Sequence, residues 1–385
     1  MSKIVPPDSV RVVIVGCGVV GAAIAYELSQ LPGLAIAVVD RQPPARASTG
    51  AALGVLMGVI SQKTKGRAWN LRQTSLRLYQ QWLPELEALT EQPVPVNRQG
   101  VLLLSFEEDL SKWEALSSIR QQQGWPLEIW TPTQVGDRCP QVSLNSITAG
   151  IYSPQDCQIN PTALTHALVS GAAKRGVQFD FSSPVESLEF ADATQHRCVG
   201  VRTAQGDRHA ADWVVIASGL GTTPLLNSLQ IPKLEICPVL GQAMRVKLDK
   251  PMGDRTFQPV ITGNDIHIVP LGQGEYWIGA TVEFPESDFS TTDSLSKLEA
   301  IAPHPAALEM VWEGAIALCP KLSQAKVLHT WSGLRPRPAN RPAPVLERLS
   351  ACPNLILATG HYRNGVLLAP ATAEWVRGEI LAGIA

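Results

Sequence analysis

Residues 11–21 read RVVIVGCGVVG, a run of β-branched residues that leads directly into the glycine pattern Gly16-Cys17-Gly18-Val19-Val20-Gly21. The run predicts a buried strand, and the helix formers of residues 19–31 predict a helix immediately after it. Residues 35–40 (AIAVVD) predict a second buried strand. Strand, glycine-rich turn, helix and strand in this order are typical of the start of a doubly wound parallel sheet, so the predicted fold class is α/β.

The three glycines have separate roles in such a turn. Gly16 allows the chain to turn tightly, Gly18 lets the backbone approach a pyrophosphate, and Gly21 lets the helix pack on the strand. The first turn of the helix, at Val19 and Val20, offers N–H groups and a partial positive charge to phosphates. The pattern therefore predicts a dinucleotide site, and the loop alone leaves FAD and NAD both open.

Two features downstream support a nucleotide site. Asp40, followed by Arg41, ends the second strand, where its carboxylate can accept hydrogen bonds from ribose hydroxyls. The small residues Ser48-Thr49-Gly50-Ala51-Ala52 come soon afterwards and suit a second close approach of backbone to a pyrophosphate or flavin. The alternative for this segment is a flexible loop without a ligand.

Parallel-sheet patterns recur at three separated places, at residues 11–40, 177–218 and 354–358, with strand-rich stretches between them. We predict a discontinuous Rossmann-like domain of residues 8–90, 155–232 and 333–385. An interleaved α+β domain built on an antiparallel sheet takes residues 91–154 and 233–332. We also predict an irregular Pro-rich region at residues 126–145, a helix at 158–175 that starts near Asn160–Pro161, a helix at 294–301, and a strand at 276–282.

Composition excludes several classes of protein. Among 385 residues, 32 Lys and Arg balance 34 Asp and Glu, which excludes the basic field that a nucleic-acid binder or a polybasic membrane anchor needs. The seven cysteines are odd in number and scattered, so we expect neither a disulfide framework nor a metal site, and a reducing, cytoplasmic location. The longest uncharged apolar stretch, residues 12–26, is too short for an integral membrane segment.

Longer motifs lie near the C-terminus: Gly333-Leu334-Arg335-Pro336 and residues 359–370, TGHYRNGVLLAP. Together with the glycine pattern and Ala217-Ser218-Gly219, they resemble the D-amino-acid oxidase superfamily of flavoproteins, and within it glycine oxidases of the thiamine-biosynthetic type. The resemblance covers nearly the whole chain and implies FAD. Where sarcosine-oxidase relatives carry the cysteine that tethers FAD, this chain reads His361-Tyr362-Arg363, so we expect non-covalent FAD.

The resemblance also implies roles for individual residues. Val185 contributes backbone contacts to the adenine side of FAD, Arg335 binds the substrate carboxylate, and the segment around Arg363 lies beside the isoalloxazine ring. A guanidinium suits a carboxylate because it donates two hydrogen bonds in one plane. The alternative role for either arginine is a structural ion pair. The full set of implied cofactor contacts is Gly16, Gly18, Val19, Val20, Gly21, Asp40, Arg41, Ser48, Thr49, Gly50, Ala51, Ala52, Val185, Ala217, Ser218, Gly219, Arg335, His361, Tyr362, Arg363, Asn364, Gly365, Val366 and Leu367.

Two positions depart from the glycine-oxidase pattern. His267 stands where those enzymes have Tyr, and Val282 where they have Met; both family positions line the substrate pocket. His267 is expected to carry charge near neutral pH, unless it is a core histidine that faces away, and the shorter Val282 is expected to widen the pocket. Together with Arg335 and Arg363 they form the predicted catalytic set, and they put glycine itself in question as the substrate.

The implied function is oxidation of a glycine-like amino acid or secondary amine: hydride transfer from the α-carbon to flavin N5, hydrolysis of the imine, and release of H2O2 after reaction with O2. One alternative is a dehydrogenase that passes electrons to a quinone or a protein. Another is a flavin-binding assembly factor with little catalysis. Members of the family are often oligomeric, so a homo-oligomer of unspecified symmetry is a further implication.

Overall fold

The structure, a computed structural model, describes residues 9–227, 234–285 and 301–384. Within these ranges the helices are α1 (Val19–Leu28), α2 (Ser48–Ala51), α3 (Gly66–Thr90), α4 (Ser111–Gln122), α5 (Pro132–Arg138), α6 (Pro161–Lys174), α7 (Thr222–Leu226), α8 (Pro305–Leu318) and α9 (Gly365–Ile384). The first strands are β1 (Val10–Val15), β2 (Leu34–Asp40), β3 (Val55–Leu56), β4 (Val96–Asn97), β5 (Val101–Ser105), β6 (Glu128–Trp130), β7 (Ala149–Ser153), β8 (Cys157–Ile159), β9 (Gln178–Phe181) and β10 (Val185–Phe190). The others are β11 (Cys198–Thr203), β12 (Arg208–Ala210), β13 (Trp213–Ile216), β14 (Ile236–Lys247), β15 (Val260–Gly263), β16 (Ile266–Gly272), β17 (Glu275–Gly279), β18 (Lys326–Pro338), β19 (Val345–Arg348) and β20 (Leu355–Thr359).

A six-stranded sheet in the order β19-β20-β13-β1-β2-β9 contains the glycine-rich turn. Its strands are parallel except for β19, which runs antiparallel to β20. Both faces are covered: Val12 and Ile14 belong to the core shared with the helices, whereas Val13 and Val15 pack in the core that includes the meander β10–β12. Burial on both faces explains why β1 is almost continuously apolar.

An eight-stranded sheet in the order β18-β14-β17-β16-β15-β5-β7-β6 forms the second half of the molecule. It is antiparallel apart from the β15–β5 pair. Side chains alternate between its faces, so that Leu102 and Leu104 share a core with Val311 and Leu318 of α8. Leu103, which lies between them, faces the other side, toward the six-stranded sheet and a large cavity.

The chain alternates between the two sheets, and this arrangement confirms the predicted fold class. Strands of the six-stranded sheet come from residues 10–40, 178–216 and 345–359, and those of the eight-stranded sheet from residues 101–153 and 236–338. The short sheet β3-β8-β4 lies between these segments in sequence. The predicted domain boundary at residue 333 falls inside β18.

Several local predictions need correction. Residues 126–145 are not irregular throughout: β6 and α5 lie there, and α5 begins with a capping box in which Thr131 and Gln134 exchange side-chain and backbone hydrogen bonds. The helix predicted at residues 158–175 begins at Pro161, capped by Asn160 at Ala163 N, because Cys157–Ile159 is a strand. The strand predicted at residues 276–282 ends at Gly279. The helix predicted at residues 294–301 lies, except for its last residue, outside the described residues.

Candidate functional site

A cavity of about 620 Å³ lies between the two sheets. One side is formed by the ends of β1, β2 and β13, and the other by the eight-stranded sheet. The carboxyl ends of parallel strands are where open α/β sheets bind their ligands. Most of the predicted site residues line this cavity: Gly16, Gly18, Val19, Val20, Asp40, Arg41, Ser48, Thr49, Ala51, Ala52, Val185, Ala217, Ser218, Gly219, His267, Arg335, His361, Tyr362, Arg363, Asn364, Gly365, Val366 and Leu367.

The glycine-rich turn has the geometry that its sequence predicts. Gly16 has a φ of +104°, and a Cβ there would lie 2.6 Å from the Ala217 carbonyl oxygen. A Cβ on Gly21 would lie 1.9 Å from the Gly16 carbonyl oxygen, so only glycine lets α1 approach the turn this closely. Gly18 lines the cavity, and among the described residues, apart from its chain neighbours, only Thr49 Oγ1 lies within 4 Å of its Cβ position, at 3.2 Å. Gly18 therefore leaves an open backbone surface at the N-terminus of α1.

Asp40 fastens this turn to the end of β2. Its Oδ2 accepts a hydrogen bond from Cys17 N and its Oδ1 accepts one from Gln42 N at 2.8 Å. Burial raises the pKa of the Asp40 carboxyl, while the two N–H groups act in the opposite direction. Each carboxylate oxygen retains acceptor capacity, so Asp40 can hold the turn and also accept from a ribose hydroxyl.

The segment at residues 48–52 forms the short helix α2 beside the turn. Thr49 Oγ1 accepts from Val19 N at 3.0 Å, which ties α2 to the first turn of α1. Ser48 Oγ donates to Leu334 O at 2.6 Å, and Ala51 O accepts from Trp331 Nε1 at 3.0 Å. These bonds hold α2 between the glycine-rich turn and β18. The small residues of α2 therefore form the part of the cavity wall that lies between the two sheets.

One row of cross-strand neighbours in the eight-stranded sheet provides much of the opposite wall. Leu103 pairs with Thr262, Thr262 with His267, His267 with Gly279, and Gly279 with Ala243. Directly paired residues share a face of a sheet, and all of these except Gly279 line the cavity. We refer to Leu103, Thr262, His267, Gly279 and Ala243 as the ladder row.

His267 lines the cavity, while its Nδ1 is buried and has no hydrogen-bond partner among the described residues. Its pKa is lowered to about 4, mainly by burial and then by the charge of Arg363, with a smaller contribution from Arg335 and with Asp265 acting in the opposite direction. The ring is therefore neutral at pH 7, and the expectation that it carries charge near neutral pH is wrong. A neutral imidazole in the wall of a cavity can donate or accept one hydrogen bond.

The two arginines occupy different surroundings. The half-buried Arg335 donates from Nη1 to Leu240 O at 3.1 Å, and its guanidinium lies over Gly241, where a Cβ would come within 2.4 Å. Burial, then the charge of Arg363, lowers the pKa of Arg335. Arg363 forms an exposed ion pair with Asp265 at 3.1 Å, between the C-terminal loop and the turn that joins β15 to β16. Within the described residues, Arg335 forms no ion pair.

The C-terminal motif lies between β20 and α9. His361 is buried and its Nε2 lies 2.9 Å from Thr372 Oγ1; burial lowers its pKa to about 3. The residues from Tyr362 to Asn364 form one turn of 3-10 helix, and α9 begins at Gly365. The loop backbone and the N-terminus of α9 are therefore directed at the cavity, as the sequence predicts.

Three predicted site residues do not line the cavity. Gly21 and Gly50 instead allow close backbone packing, since a Cβ on Gly50 would lie 2.2 Å from the Ala45 carbonyl oxygen. Val282 lies beyond the end of β17 and is not part of the wall. The sequence reasoning missed Gly241 and Asp265, among others, because only cross-strand register brings them to the cavity. The other lining residues that it missed include Leu53, Gly54, Val55, Met57, Leu103, Thr262 and Ala280.

The residues present fit a dinucleotide with a flavin ring. The Gly18 surface and the end of α1 suit a pyrophosphate, Asp40 suits a ribose, and the loop before α9 offers N–H groups to a ring carbonyl. The cavity extends from there to the ladder row, where His267 is part of the wall. All seven cysteines are free thiols, and burial raises the pKa of Cys17, the one that lines the cavity. Fold and site together define a flavoprotein oxidoreductase.

Comparison with known proteins identifies the family. The profile of the DAO family, described as FAD dependent oxidoreductase, matches residues 11–378. The chain belongs to this family of FAD-dependent enzymes. It is 33% identical over 367 residues to a bifunctional protein ThiO/ThiG of a Nostoc species, a match that covers 95% of this chain and 52% of the relative. The chain thus spans about half the length of this bifunctional relative.

Glycine oxidases are also similar to this chain. The glycine oxidase of Bacillus licheniformis is 26% identical over 373 residues, covering 96% of this chain and 92% of the relative. The crystal structure of glycine oxidase from Geobacillus kaustophilus superposes with a TM-score of 0.84 at 26% identity, covering 97% and 95% of the two chains. The structure of L-proline dehydrogenase from P. horikoshii, at 20% identity and a TM-score of 0.82, shares the fold.

Two further observations concern the described ranges. None of their helices has both the length and the apolar character needed to cross a membrane. These ranges also contain no group of three or more His, Cys, Asp or Glu side chains placed to hold a metal ion.

Proposed function

We propose that this chain is an FAD-dependent oxidase of a glycine-like amino acid or secondary amine. The observation that carries the proposal is the Arg335 guanidinium, which is half-buried at the cavity, stands over Gly241, and has no carboxylate partner among the described residues. A cation withdrawn from water without a counterion favours an anionic ligand. The similarity to glycine oxidases supports a carboxylate-bearing amine as that ligand.

The chain's own residues would bind and orient both reactants. The glycine-rich turn, Asp40 and Val185 would hold the dinucleotide part of FAD, and the loop that ends at Gly365 would contribute to the site of its ring. When bound, FAD would supply the two-electron redox chemistry that amine oxidation needs. Catalysis by the protein then consists of orientation and electrostatics, with no nucleophile or metal required.

At the substrate end, Arg335 binds the carboxylate in a plane and so fixes the α-carbon. His267 is neutral and lines the cavity, where its ring can donate or accept one hydrogen bond according to its tautomer. Asp265 neutralises Arg363, so that Arg335 remains the unpaired cation of this cluster. This charge pattern suits a substrate with one carboxylate and an uncharged amine.

Replacement of Arg335 tests the assignment of the carboxylate. Arg335→Ala should raise KM for glycine and sarcosine about 100-fold, since truncating one partner of a desolvated charge pair costs about 3 kcal/mol. Arg341→Ala is the matched control, because Arg341 is exposed and paired with Glu347 at 2.8 Å. Steady-state H2O2 production gives both constants. Unchanged KM and kcat in Arg335→Ala would show that the carboxylate binds elsewhere.

The electron acceptor is tested separately. The holoenzyme is reduced anaerobically with glycine, sarcosine and D- or L-amino acids, and the flavin absorbance is followed after mixing with air in a stopped-flow instrument. Rapid return of oxidised flavin supports an oxidase, and slow return that a quinone accelerates supports a dehydrogenase. If no substrate bleaches the flavin, the assembly-factor alternative is favoured.

The expectation that FAD is bound non-covalently has its own test, which is acid precipitation of the holoenzyme. Yellow colour that stays in the precipitated pellet would show that the flavin is covalently attached and would overturn this expectation.

A further inference from the structure

Residues 57–64 connect β3 to α3 beside the cavity without forming a helix or strand. Met57 at the start of this segment lines the cavity, as does Val55 two residues earlier. The preceding Leu53 approaches the ladder row, because its Cδ1 lies 3.2 Å from the Cβ position of Gly279. The backbone of residues 53–60 therefore determines where the Val55 and Met57 side chains stand in the cavity wall.

Asp156 holds the N–H groups of this segment. Its Oδ1 accepts from Gly58 N at 2.7 Å and from Val59 N at 2.9 Å, and its Oδ2 accepts from Ile60 N at 2.9 Å. Asp156 is fully buried and immediately precedes β8, whose Cys157 pairs with Leu56. The carboxylate thus continues the β3–β8 pairing past the point where β3 ends.

Arg120 holds the carbonyl groups of the same segment from α4. Its Nε donates to Val59 O at 2.8 Å, and its Nη2 donates to Ser61 O at 2.7 Å and to Lys63 O at 2.9 Å. Its guanidinium carbon lies 3.6 Å from the centre of the Trp69 ring, and the residue is fully buried. Gln123 accepts from Arg120 Nη1 at 2.7 Å.

Three N–H and three C=O groups of one short segment are thus bound by two buried, oppositely charged side chains. Peptide groups that are buried outside a helix or sheet need such partners. Apolar side chains could fill the same volume, and burial of charge is expensive, so what the pair adds is a defined backbone position. Neither Asp156 nor Arg120 lines the cavity, so each influences it indirectly, through the backbone that it holds.

We propose that Asp156 and Arg120 are positioning residues that fix the cavity wall formed by Val55 and Met57, and thereby limit the size of the substrate group admitted beside the ladder row. The proposal rests on the proposed function, because it assigns this wall to the substrate. It predicts that loosening the segment changes selectivity among substrates of different size, while the contacts with the cofactor stay intact.

The test uses FAD-loaded enzyme and a series of carboxylates, acetate, propionate and butyrate, whose dissociation constants are read from the change in flavin absorbance. Asp156→Asn should change the ratio of the acetate and butyrate constants about tenfold, since small displacements of a wall alter fit strongly. Asn354→Ala is the matched control: Asn354 Nδ2 also holds two backbone carbonyls, those of Cys198 and Asp212, but lies outside the cavity wall. It should lower the melting temperature and leave the ratio unchanged.

A double-mutant cycle with Met57→Ala shows whether the effect passes through the wall. Asp156→Asn should change the ratio less than twofold when Met57 is already Ala. Hydrogen exchange at residues 58–63 should be faster in Asp156→Asn and unchanged in Asn354→Ala. A ratio within twofold of wild type in Asp156→Asn, with a lower melting temperature, would overturn the proposal.

A milder variant covers the case in which Asp156→Asn does not fold. Gln123→Met keeps both buried charges and removes the bonds to Arg120 and to Thr64 O, which Gln123 Nε2 contacts at 3.0 Å. It should shift the ratio in the same direction by a smaller factor, and an unshifted ratio would contradict the proposal. The two proposals fail in different ways. If no carboxylate changes the flavin absorbance of the wild-type enzyme, the proposed function is contradicted. If the wild-type enzyme binds carboxylates and the variants keep its selectivity, the positioning proposal is contradicted.

Discussion

A glycine on β14 determines where the Arg335 guanidinium lies. The Cβ position of Gly241 is 2.4 Å from Arg335 Nη2 and 2.5 Å from its Nη1, well inside van der Waals contact. Gly241→Ala should therefore displace the guanidinium and raise KM for a carboxylate substrate at least tenfold, with a smaller change in kcat. Steady-state kinetics with glycine or sarcosine measure both constants.

The control for Gly241→Ala is a glycine whose added methyl group meets nothing. Apart from the adjoining backbone of α9, no atom of the described residues lies within 4 Å of the Cβ position of Gly378, so Gly378→Ala should leave KM unchanged. Equal KM values in the two variants would mean that Arg335 can bind substrate from a second position.

His361 should make the protein sensitive to acid. Its pKa is about 3 in the fold against an ordinary value of 6.5, because burial disfavours the charged ring. Its contribution to stability is therefore complete above pH 6.5 and is lost as the pH falls, by about 2 kcal/mol between pH 6.5 and 5. Denaturant unfolding of wild type and His361→Gln at several pH values measures this loss. Parallel pH dependences in the two proteins would refute it.

Sequence reasoning finds residues whose chemistry is recognisable by itself and misses those that depend on register. Arg335 and His267 were both identifiable, the first from its motif and the second as a departure from the family pattern. The neutral state of His267 was not, since it follows from burial and from two arginines that are distant in sequence. Gly241 and Thr262 carry no motif, and only strand pairing brings them to the cavity.

Gly18, just before α1, and Gly21, inside its first turn, have different structural requirements. Gly21→Ala would place a Cβ 1.9 Å from the Gly16 carbonyl oxygen, whereas Gly18→Ala meets only Thr49 Oγ1 at 3.2 Å. Gly21→Ala should therefore destabilise the apoprotein by about 2 kcal/mol or more through backbone displacement. Gly18→Ala should leave apoprotein stability nearly unchanged and weaken FAD binding. Thermal unfolding without FAD and flavin titration separate the two effects, and matching losses in both variants would contradict these roles.

Helices and strands with continuous patterns could be predicted because local sequence determines them. Local patterns predict β1, α1 and β2, since β-branched runs mark the two strands and helix formers mark the helix. α5 was missed although Thr131 and Gln134 have the spacing of a capping box, because the prolines around it suggested irregular structure. The position of residues 57–64 had no local signal, since Asp156 and Arg120 are about sixty residues or more away.

The interleaved chain should make the two halves of the molecule respond together to the cofactor. Lining residues come from the glycine-rich turn and the C-terminal loop on one side and from the ladder row on the other. A ligand that binds only the folded state stabilises every element needed to build its site, by about 2.7 kcal/mol at a free concentration 100 times its Kd. FAD added to apoprotein should therefore slow hydrogen exchange in β1 and in β16 alike. Protection of β1 alone would show that the eight-stranded sheet folds independently of the cofactor. The ladder row would then take up its position in the cavity wall without help from bound FAD.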